Sequence, residues 1–386
     1  MKIAILGLGT VGLGAMKASE LADDIEVKKI LIRSDKGIYE ELTTTDYNEI
    51  LADDEIKLIA LCIGGLHPAY EYAVSALKSG KHLVTPNKNL VSCYFKELSL
   101  LAEENNVKFK FTSSAGGGVP WLLNLNRHKN ADEILEVMGI VNGTCNYILS
   151  NMFETRVSFD EILKQAQSLG FAEQDPSSDI DGYDTQRKCV ISANVGFDTD
   201  ISEKDVPVFG IRNISESDIS FFTGQGYCCK LTMHAGLLNG RLFAYVEPTL
   251  FPFGTPFAST GSNYNFIALK GANMGILGFY GEGAGGAPTG TSVILDAVDV
   301  LRESSDLPHT DFYRYEVDNR IIKHRYYMHF KNYDNHIDSS IIESKTADGD
   351  DTFLTTVPIS VAEAHSIANN YNMSGGIFMA GIKEEQ

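Results

Sequence analysis

The sequence has little of what marks several common protein classes. Within its 386 residues no apolar stretch approaches the ~20 residues of a membrane-spanning helix. Its six cysteines form no C-x-x-C pair and are too sparse for a disulfide scaffold, so we expect reduced, cytoplasmic thiols and no structural zinc site. The N-terminus has no basic segment before its first apolar run, which predicts no signal peptide.

Positive charge is also scarce. Lys and Arg total 32 against 51 Asp and Glu, which gives a net charge of −19. Nucleic-acid binding and docking on anionic membrane both need basic patches, so we expect neither as a partner.

The first 112 residues alternate short apolar runs with helical patterns. The predicted strands are 2–7, 27–34, 56–65, 81–88 and 107–114. This alternation predicts an α/β domain with a doubly wound parallel sheet of Rossmann type.

The rest of the chain divides into two further predicted parts. Residues 113–310 carry longer β-like runs and more glycine, which favours a mixed α+β catalytic and dimerisation domain. Within it, a helix at 288–301 is expected to pack back on the first domain. A polar linker at 302–311 precedes a small C-terminal unit at 320–386, with a strand–helix–strand ending.

A glycine-rich turn follows the first predicted strand. Gly7, Gly9 and Gly12 form G-x-G-x-x-G between that strand and a helix. The first glycine permits the turn, the second lets the backbone approach a pyrophosphate, and the third lets helix and strand pack closely. The pattern predicts dinucleotide binding, and a ligand-free turn is the alternative.

Two basic residues lie at the ends of later strands. Arg33 ends the second strand where an acidic residue would bind a ribose hydroxyl, which favours NADP over NAD, although Asp35 follows closely. Lys88 follows the fourth strand and is expected at the cofactor crevice, because ligands bind at the carboxyl ends of parallel strands. A surface lysine is the alternative.

Two more glycine loops could bind ligands. Residues 113–121 contain three consecutive glycines, which indicate either close approach to a ligand, including a cation bound through carbonyls, or a hinge. Residues 281–293 form a second loop before Pro288 and could close over a nicotinamide.

A run of carboxylates precedes a lysine in the middle of the chain. Within GFAEQDPSSDIDGYDTQRK, Asp184 and Lys188 lie four residues apart and would share a helix face. Such a pair is often a weak surface ion pair. In a cleft, however, these groups could bind an amino group and transfer a proton.

Together these blocks resemble the homoserine dehydrogenase family over residues 1–305. The shared motifs are the GxGTVG loop, TPNK, GGG-x-P, NGT-x-NYIL, GxAExDPxxDxxGxDxxxK and GxGAGxxPT. The resemblance implies NAD(P)-dependent interconversion of L-homoserine and L-aspartate 4-semialdehyde, on the route to threonine, methionine and isoleucine. It also implies a homodimer or higher homo-oligomer.

The resemblance also implies residue roles. Lys188 is implied as the proton donor, supported by Asp184, with Lys88 between cofactor and substrate. The residues implied to bind substrate are Glu173, Asp179, Asp184, Gly143 and Thr144. The residues implied to bind cofactor are Gly7, Gly9, Thr10, Val11, Gly12, Arg33, Lys88, Gly170, Gly283, Ala284 and Gly285.

The chain departs from the family in two places. Thr112 stands where the family usually has a Glu beside a Na⁺ or K⁺ ion, so only the carbonyls of Ala115, Gly117 and Val119 remain as expected ligands. Many members end in an ACT regulatory domain, whereas the segment after Phe330 is too short and polar for the first ACT helix. We therefore expect a reduced ACT-like module that assembles or stabilises the enzyme and does not sense threonine.

These roles predict a mechanism and leave two alternatives. Lys188 would protonate the aldehyde oxygen as hydride arrives, and oxidation of homoserine would be faster at alkaline pH because it needs the neutral amine. Aspartate-semialdehyde dehydrogenase would instead need a nucleophilic Cys and a His base, for which Cys228, Cys229 and His234 are the candidates. A dinucleotide-binding or amino-acid-sensing protein without catalysis is the other alternative.

Overall fold

A computed structural model describes residues 1–34, 37–303, 311–333, 336–372 and 376–384. Asp35 and most of the predicted linker lie outside these residues. The strands are β1 (Lys2–Leu6), β2 (Glu26–Leu31), β3 (Thr43–Thr44), β4 (Ile56–Leu61), β5 (His82–Val84), β6 (Phe109–Lys110), β7 (Ile134–Ile140), β8 (Tyr227–Leu238), β9 (Arg241–Pro252), β10 (Tyr264–Gly271), β11 (Gly275–Glu282), β12 (Lys323–Lys331), β13 (Ile342–Asp348), β14 (Asp351–Thr356), β15 (Ile359–Ser360) and β16 (Ile377–Ile382).

The α-helices alternate with these strands in the first part of the chain. They are α1 (Thr10–Ser19), α2 (Tyr47–Leu51), α3 (Ala69–Lys78), α4 (Lys88–Glu104), α5 (Trp121–His128), α6 (Gly143–Thr155), α7 (Phe159–Ser168), α8 (Ser177–Ile180), α9 (Tyr183–Phe197), α10 (Glu216–Gly224), α11 (Pro256–Ser259), α12 (Gly286–Arg302) and α13 (Val361–Asn372). No helix in the described ranges is both long and apolar enough to cross a membrane.

By its internal contacts the chain forms two compact units. Unit 1 contains Met1–Glu133, Ile191–Ser202 and Gly281–Arg314, and unit 2 contains the remainder. The sequence-based boundary at 112/113 thus falls inside unit 1, because α5 and α12 belong there.

Unit 1 contains the parallel sheet that the alternating pattern predicts. Its strand order is β3-β2-β1-β4-β5-β6, and all neighbours are parallel. The two-residue strand β3 was not predicted, and β6 is shorter than the predicted 107–114, because a 3₁₀ turn begins at Thr112. Parallel strands end at one edge of the sheet, so the loops after β1, β2, β4, β5 and β6 share that edge.

Helix α12 packs against α1 at backbone distance. A Cβ atom at Gly14 would clash with the backbone of Gly286, and one at Gly290 would clash with the backbone of Ala15. Val293 and Ala297 of α12 are fully buried in the core that also contains Ile3 of β1. A helix from late in the chain therefore completes the core beside the first glycine turn.

Unit 2 is built on a ten-stranded mixed sheet. The strand order is β11-β10-β7-β8-β9-β16-β12-β14-β13, and β15 pairs with β12. The predicted C-terminal unit joins this sheet, because β16 pairs in parallel with β9. The strand–helix–strand ending is present as β14, α13 and β16, whereas β13 was not predicted. An ACT-like character for this tail remains a prediction.

Two buried carboxylates attach the tail to the rest of unit 2. Glu247 on β9 accepts hydrogen bonds from Tyr326 Oη, at 3.2 Å, and from His365 Nε2, at 3.0 Å. Asp218 on α10 accepts bonds from Tyr327 Oη, at 2.6 Å, and from His329 Nδ1, at 2.9 Å. Because Tyr326 and Tyr327 are neighbours on β12, they point to opposite faces of the sheet and anchor both faces.

Candidate active site

The three glycines of the first turn differ in surroundings. Gly7 has φ +95°, and a Cβ at Gly12 would clash with the Gly7 backbone, so both positions require glycine. At Gly9, which precedes α1, a Cβ would meet nothing within 4 Å. This open, exposed side leads to the first residues of α1, Thr10 and Val11, where backbone N–H groups are available to a phosphate.

A cleft of about 540 Å³ extends from this turn across the edge of the sheet. Gly7, Leu8 and Gly9 line one part of it, and Arg33 and Ser34 line another. Arg33 is exposed. The structure therefore places the predicted 2′-phosphate arginine in the same cleft as the glycine turn.

Lys88 lies at the same edge because two side chains fix the end of β5. Thr85 Oγ1 donates to Leu61 O at 2.8 Å, and Asn87 Nδ2 donates to Ile63 O at 2.8 Å. Asn87 Oδ1 also accepts from Leu90 N and caps α4, so Lys88 becomes the first residue of that helix and is half-buried. Sequence reasoning missed Asn87, although Asn before a helix is a recognisable capping signal.

The three-glycine loop follows β6 and has left-handed backbone at Gly116 (φ +100°) and Gly117 (φ +57°). Ala115 and Val119 are buried. The hydroxyls of Ser113 and Ser114 are also buried, and neither has a hydrogen-bond partner among the described residues. The loop thus gathers several oxygen atoms in a buried turn.

This loop packs against the second glycine loop in unit 1. Gly118 N donates to Glu282 O at 3.1 Å, and a Cβ at Gly117 would clash with Gly283 O. Ala284 and Gly285 are exposed, and Gly285 is the N-cap of α12 with φ +115°. The two glycine-rich loops therefore pack closely against each other.

A buried carboxylate on α12 fixes the entry to the three-glycine loop. Asp296 accepts hydrogen bonds from Thr112 N at 3.0 Å and from Thr112 Oγ1 at 2.6 Å. Burial raises the pKa of Asp296 to about 7, against the opposing hydrogen bonds from Thr112 and the charge of Lys110. Nothing in the local sequence indicates this pair, which is separated by 184 positions.

In unit 2, the predicted lysine and aspartate form a buried pair. Lys188 Nζ donates to Asp184 Oδ2 at 2.8 Å and to Val141 O at 2.6 Å. Their side chains are only 8% and 3% exposed, so the surface ion pair considered from spacing alone is wrong. A buried ion pair costs desolvation free energy, and charged groups that are buried in spite of this cost are typical of functional sites.

Asn142 joins this pair to a second carboxylate. Its Nδ2 donates to Asp184 Oδ2 at 2.8 Å and to Asp179 Oδ1 at 2.7 Å, while its Oδ1 accepts from Cys145 N and caps α6. Sequence reasoning missed Asn142. Its position directly before Gly143, at the end of a predicted strand, was the available signal.

The remaining residues predicted to bind substrate differ in their contacts and exposure. Gly143 begins α6, where a Cβ would lie 2.8 Å from Asn263 O, and Thr144 Oγ1 donates to Phe171 O at 2.6 Å. Glu173 is exposed in the loop between α7 and α8. Gly170, predicted to bind cofactor, has φ +77° just after α7, a conformation that helix termination explains without a ligand.

The thiols considered for the alternative reaction are poor nucleophiles. Burial raises the pKa values of Cys228 and Cys229, so both are thiols near neutral pH. His234 hydrogen-bonds Glu136 through Nδ1 and Thr232 through Nε2. Burial lowers the pKa of His234 to about 4. The described residues also contain no group of three or more His, Cys, Asp or Glu side chains placed to hold a metal ion.

Comparisons with known proteins agree with this geometry. The model for the homoserine dehydrogenase NAD binding domain matches residues 7–112, and that for homoserine dehydrogenase matches residues 120–298. The homoserine dehydrogenase of Bacillus subtilis (strain 168) is 37% identical over 316 residues, which cover 78% of this chain and 73% of the relative.

Solved structures extend the similarity to the whole chain. A homoserine dehydrogenase from Thiobacillus denitrificans is 27% identical with a TM-score of 0.85, and the match covers 100% of this chain and 98% of that one. The enzyme from S. aureus is 31% identical with a TM-score of 0.77, over 100% and 99% of the two chains. From the glycine-rich turn between β1 and α1, the buried lysine–aspartate pair and these relatives, we conclude that the chain belongs to the homoserine dehydrogenase family, whose members are NAD(P)-dependent oxidoreductases.

Proposed function

We propose that this chain interconverts L-homoserine and L-aspartate 4-semialdehyde, with Lys188 as its acid and base. The observation that carries this proposal is the buried position of Lys188 Nζ between Asp184 Oδ2 and Val141 O. These two acceptors fix the ammonium group in one place. A fixed ammonium is a suitable proton donor to an aldehyde oxygen.

The chain's own residues account for proton movement and substrate orientation. When bound, the nicotinamide cofactor supplies or accepts the hydride. In reduction Lys188 gives a proton to the aldehyde oxygen, and in oxidation it receives the proton of the hydroxyl group. Asp179 and Asp184, both bonded to Asn142, supply negative charge for the substrate's amino group.

We also propose that the cofactor is NADP in preference to NAD. Arg33 supports this preference, because a guanidinium group in the cleft suits the extra phosphate of NADP. The glycine turn at Gly7 and Gly9 would bind the shared pyrophosphate of either cofactor.

The direct test is the absorbance of reduced nicotinamide, followed with each cofactor and with L-homoserine as substrate. We expect turnover with L-homoserine and a higher kcat/KM with NADP than with NAD. L-Serine, which lacks one methylene group, is the matched control. Turnover that is no faster with L-homoserine than with L-serine would contradict the proposed substrate.

We propose that the three-glycine loop binds a monovalent cation. The carbonyls of Ala115, Gly117 and Val119 are hard oxygen ligands, and the buried unsatisfied hydroxyls of Ser113 and Ser114 add oxygen atoms nearby. We propose Na⁺ or K⁺ as the ion. Titration with KCl, NaCl and choline chloride at equal ionic strength should give a change in thermal stability with K⁺ or Na⁺ that choline does not reproduce.

A homodimer through the sheet of unit 2 is the proposed assembly. Strand β11 ends the strand order of that sheet, and its Ile276 and Tyr280 are 59% and 60% exposed. Exposed apolar side chains on an edge strand commonly mark an interface. Sedimentation of the wild type and of Ile276→Asp should give a dimer and a monomer, respectively.

A further inference from the structure

Asp296 is hydrogen-bonded to Thr112, the residue directly before the three-glycine loop. Both of its carboxylate oxygens accept hydrogen bonds from one residue, Thr112, through the backbone N–H at 3.0 Å and the hydroxyl at 2.6 Å. Two bonds to one residue fix its orientation as well as its position. Both residues are buried, with exposures of 2% for Asp296 and 9% for Thr112.

Thr112 begins the 3₁₀ turn that leads directly into the loop. At the loop's other end, Trp121 N donates to Val119 O at 2.7 Å, and Trp121 Nε1 donates to Ser192 Oγ at 3.0 Å. In the middle, the loop packs on residues 282–283 just before α12. Helix α12 therefore holds the loop twice, through the segment before its N-terminus and through Asp296.

Burial of the Asp296 carboxylate costs desolvation free energy, and the fold does not need a carboxylate at this position. An apolar pair of similar volume at this position would avoid the desolvation of both partners. The carboxylate contributes orientation, because it accepts two hydrogen bonds from the backbone N–H and the hydroxyl of one residue. This contribution matters most where small displacements of backbone affect a reaction.

We infer that Asp296 is a positioning residue for the reaction, and that it acts through Thr112 on the placement of loop 113–119. This inference rests on the proposed function for its kinetic effect. The loop leaves the same sheet edge as the cofactor cleft, so its displacement would disturb catalysis without removing a group that touches substrate.

The chain contains one tryptophan, Trp121, which lies two residues after segment 113–119 of the loop. Its fluorescence therefore reports on the loop without any need for activity. The experiment compares acrylamide quenching of Trp121, kcat and KM among Asp296→Ala, Asp296→Asn and Thr112→Val. Val293→Ala is the matched control, because it removes buried volume from the same helix and leaves the contact with Thr112 intact.

Asp296→Ala should raise the quenching constant at least about twofold and lower kcat about 10-fold to 100-fold, with KM for homoserine nearly unchanged. Asp296→Asn keeps the shape and both contacts, because its amide oxygen can accept from Thr112 N and its amide N–H can donate to Thr112 Oγ1, so it should remain within about threefold of the wild type in both properties. Thr112→Val should be intermediate. Val293→Ala should lower the melting temperature and leave quenching and kcat unchanged.

Three results would overturn the inference. These are wild-type quenching and kcat in Asp296→Ala, a wild-type Thr112→Val beside an impaired Asp296→Ala, or equal impairment in Val293→Ala. If the wild type oxidises no homoserine, the proposed function fails, whereas the quenching comparison still decides whether Asp296 positions the loop.

Discussion

Replacement of Lys188 by alanine separates chemistry from folding in this site. The substitution removes the ammonium group that donates to Asp184 Oδ2 and Val141 O. Asp184 would keep its bond from Asn142, while the carbonyl of Val141 would lose its lysine donor. The variant therefore carries a buried carboxylate without its cation.

Two magnitudes follow from this arrangement. Loss of one partner of a buried ion pair destabilises a protein by ~3–5 kcal/mol, and this value applies because the side chains are 8% and 3% exposed. Loss of a general acid lowers kcat by ~10²–10⁴-fold. Cofactor affinity should barely change, because the glycine turn and Arg33 belong to unit 1.

The assay must distinguish these two effects. Turnover is measured in both directions at a temperature well below the melting point of Lys188→Ala. Addition of a small primary amine such as ethylamine should restore part of the lost kcat, because the amine can carry the missing proton. Tetramethylammonium is the matched control, since it has the charge but no transferable proton.

Near-normal kcat in a folded Lys188→Ala variant would show that the assignment is wrong and would make Lys88 the candidate. Equal rescue by ethylamine and tetramethylammonium would show that Lys188 contributes charge and not a proton.

Three other expectations are open to direct measurement. Arg33→Ala should weaken NADP binding by ~1–3 kcal/mol, toward the lower end because Arg33 is exposed, while NAD binding changes little. Equal losses of NADP and NAD affinity in titration calorimetry would show that Arg33 does not discriminate between the two cofactors. Removal of 320–386 should cause aggregation or dissociation, detected by sedimentation, because β9 loses its neighbouring strand and the buried carboxylates of Glu247 and Asp218 lose their tyrosine donors. The intact enzyme should show no sigmoidal inhibition by L-threonine. Burial would lower the pKa of His329, but the bonds and charges of Asp218 and Asp351 outweigh it and raise the pKa. The stabilisation is therefore complete below the unfolded-state pKa of about 6.5 and is lost as pH rises through the folded value, so the stability difference between wild type and His329→Gln in denaturant unfolding should shrink as the pH is raised above the unfolded-state value.

Local patterns predicted the parts of the site that are short-range in sequence. The turn at Gly7, Gly9 and Gly12 occurs between a strand and a helix, as its spacing predicts. The pair Asp184 and Lys188 shares one helix, so a separation of four residues was sufficient to identify it.

Long-range partners could not be found in this way. Asn142 contacts Asp184 across 42 positions, and Thr112 contacts Asp296 across 184. Each contact depends on which elements become neighbours in three dimensions, and a single sequence does not state this. The same limit explains why the parallel pairing of β16 with β9 was not predicted.

The contact between α1 and α12 has a consequence for the order in which the protein can fold during synthesis. The core of unit 1 is complete only when α12 packs its backbone against Gly14 and Ala15. On the ribosome, residues 134–280 must be made after the first 133 residues and before that helix, which takes on the order of ten seconds. Throughout that interval the nascent N-terminal sheet lacks one of its covering helices and exposes apolar surface that a chaperone would bind.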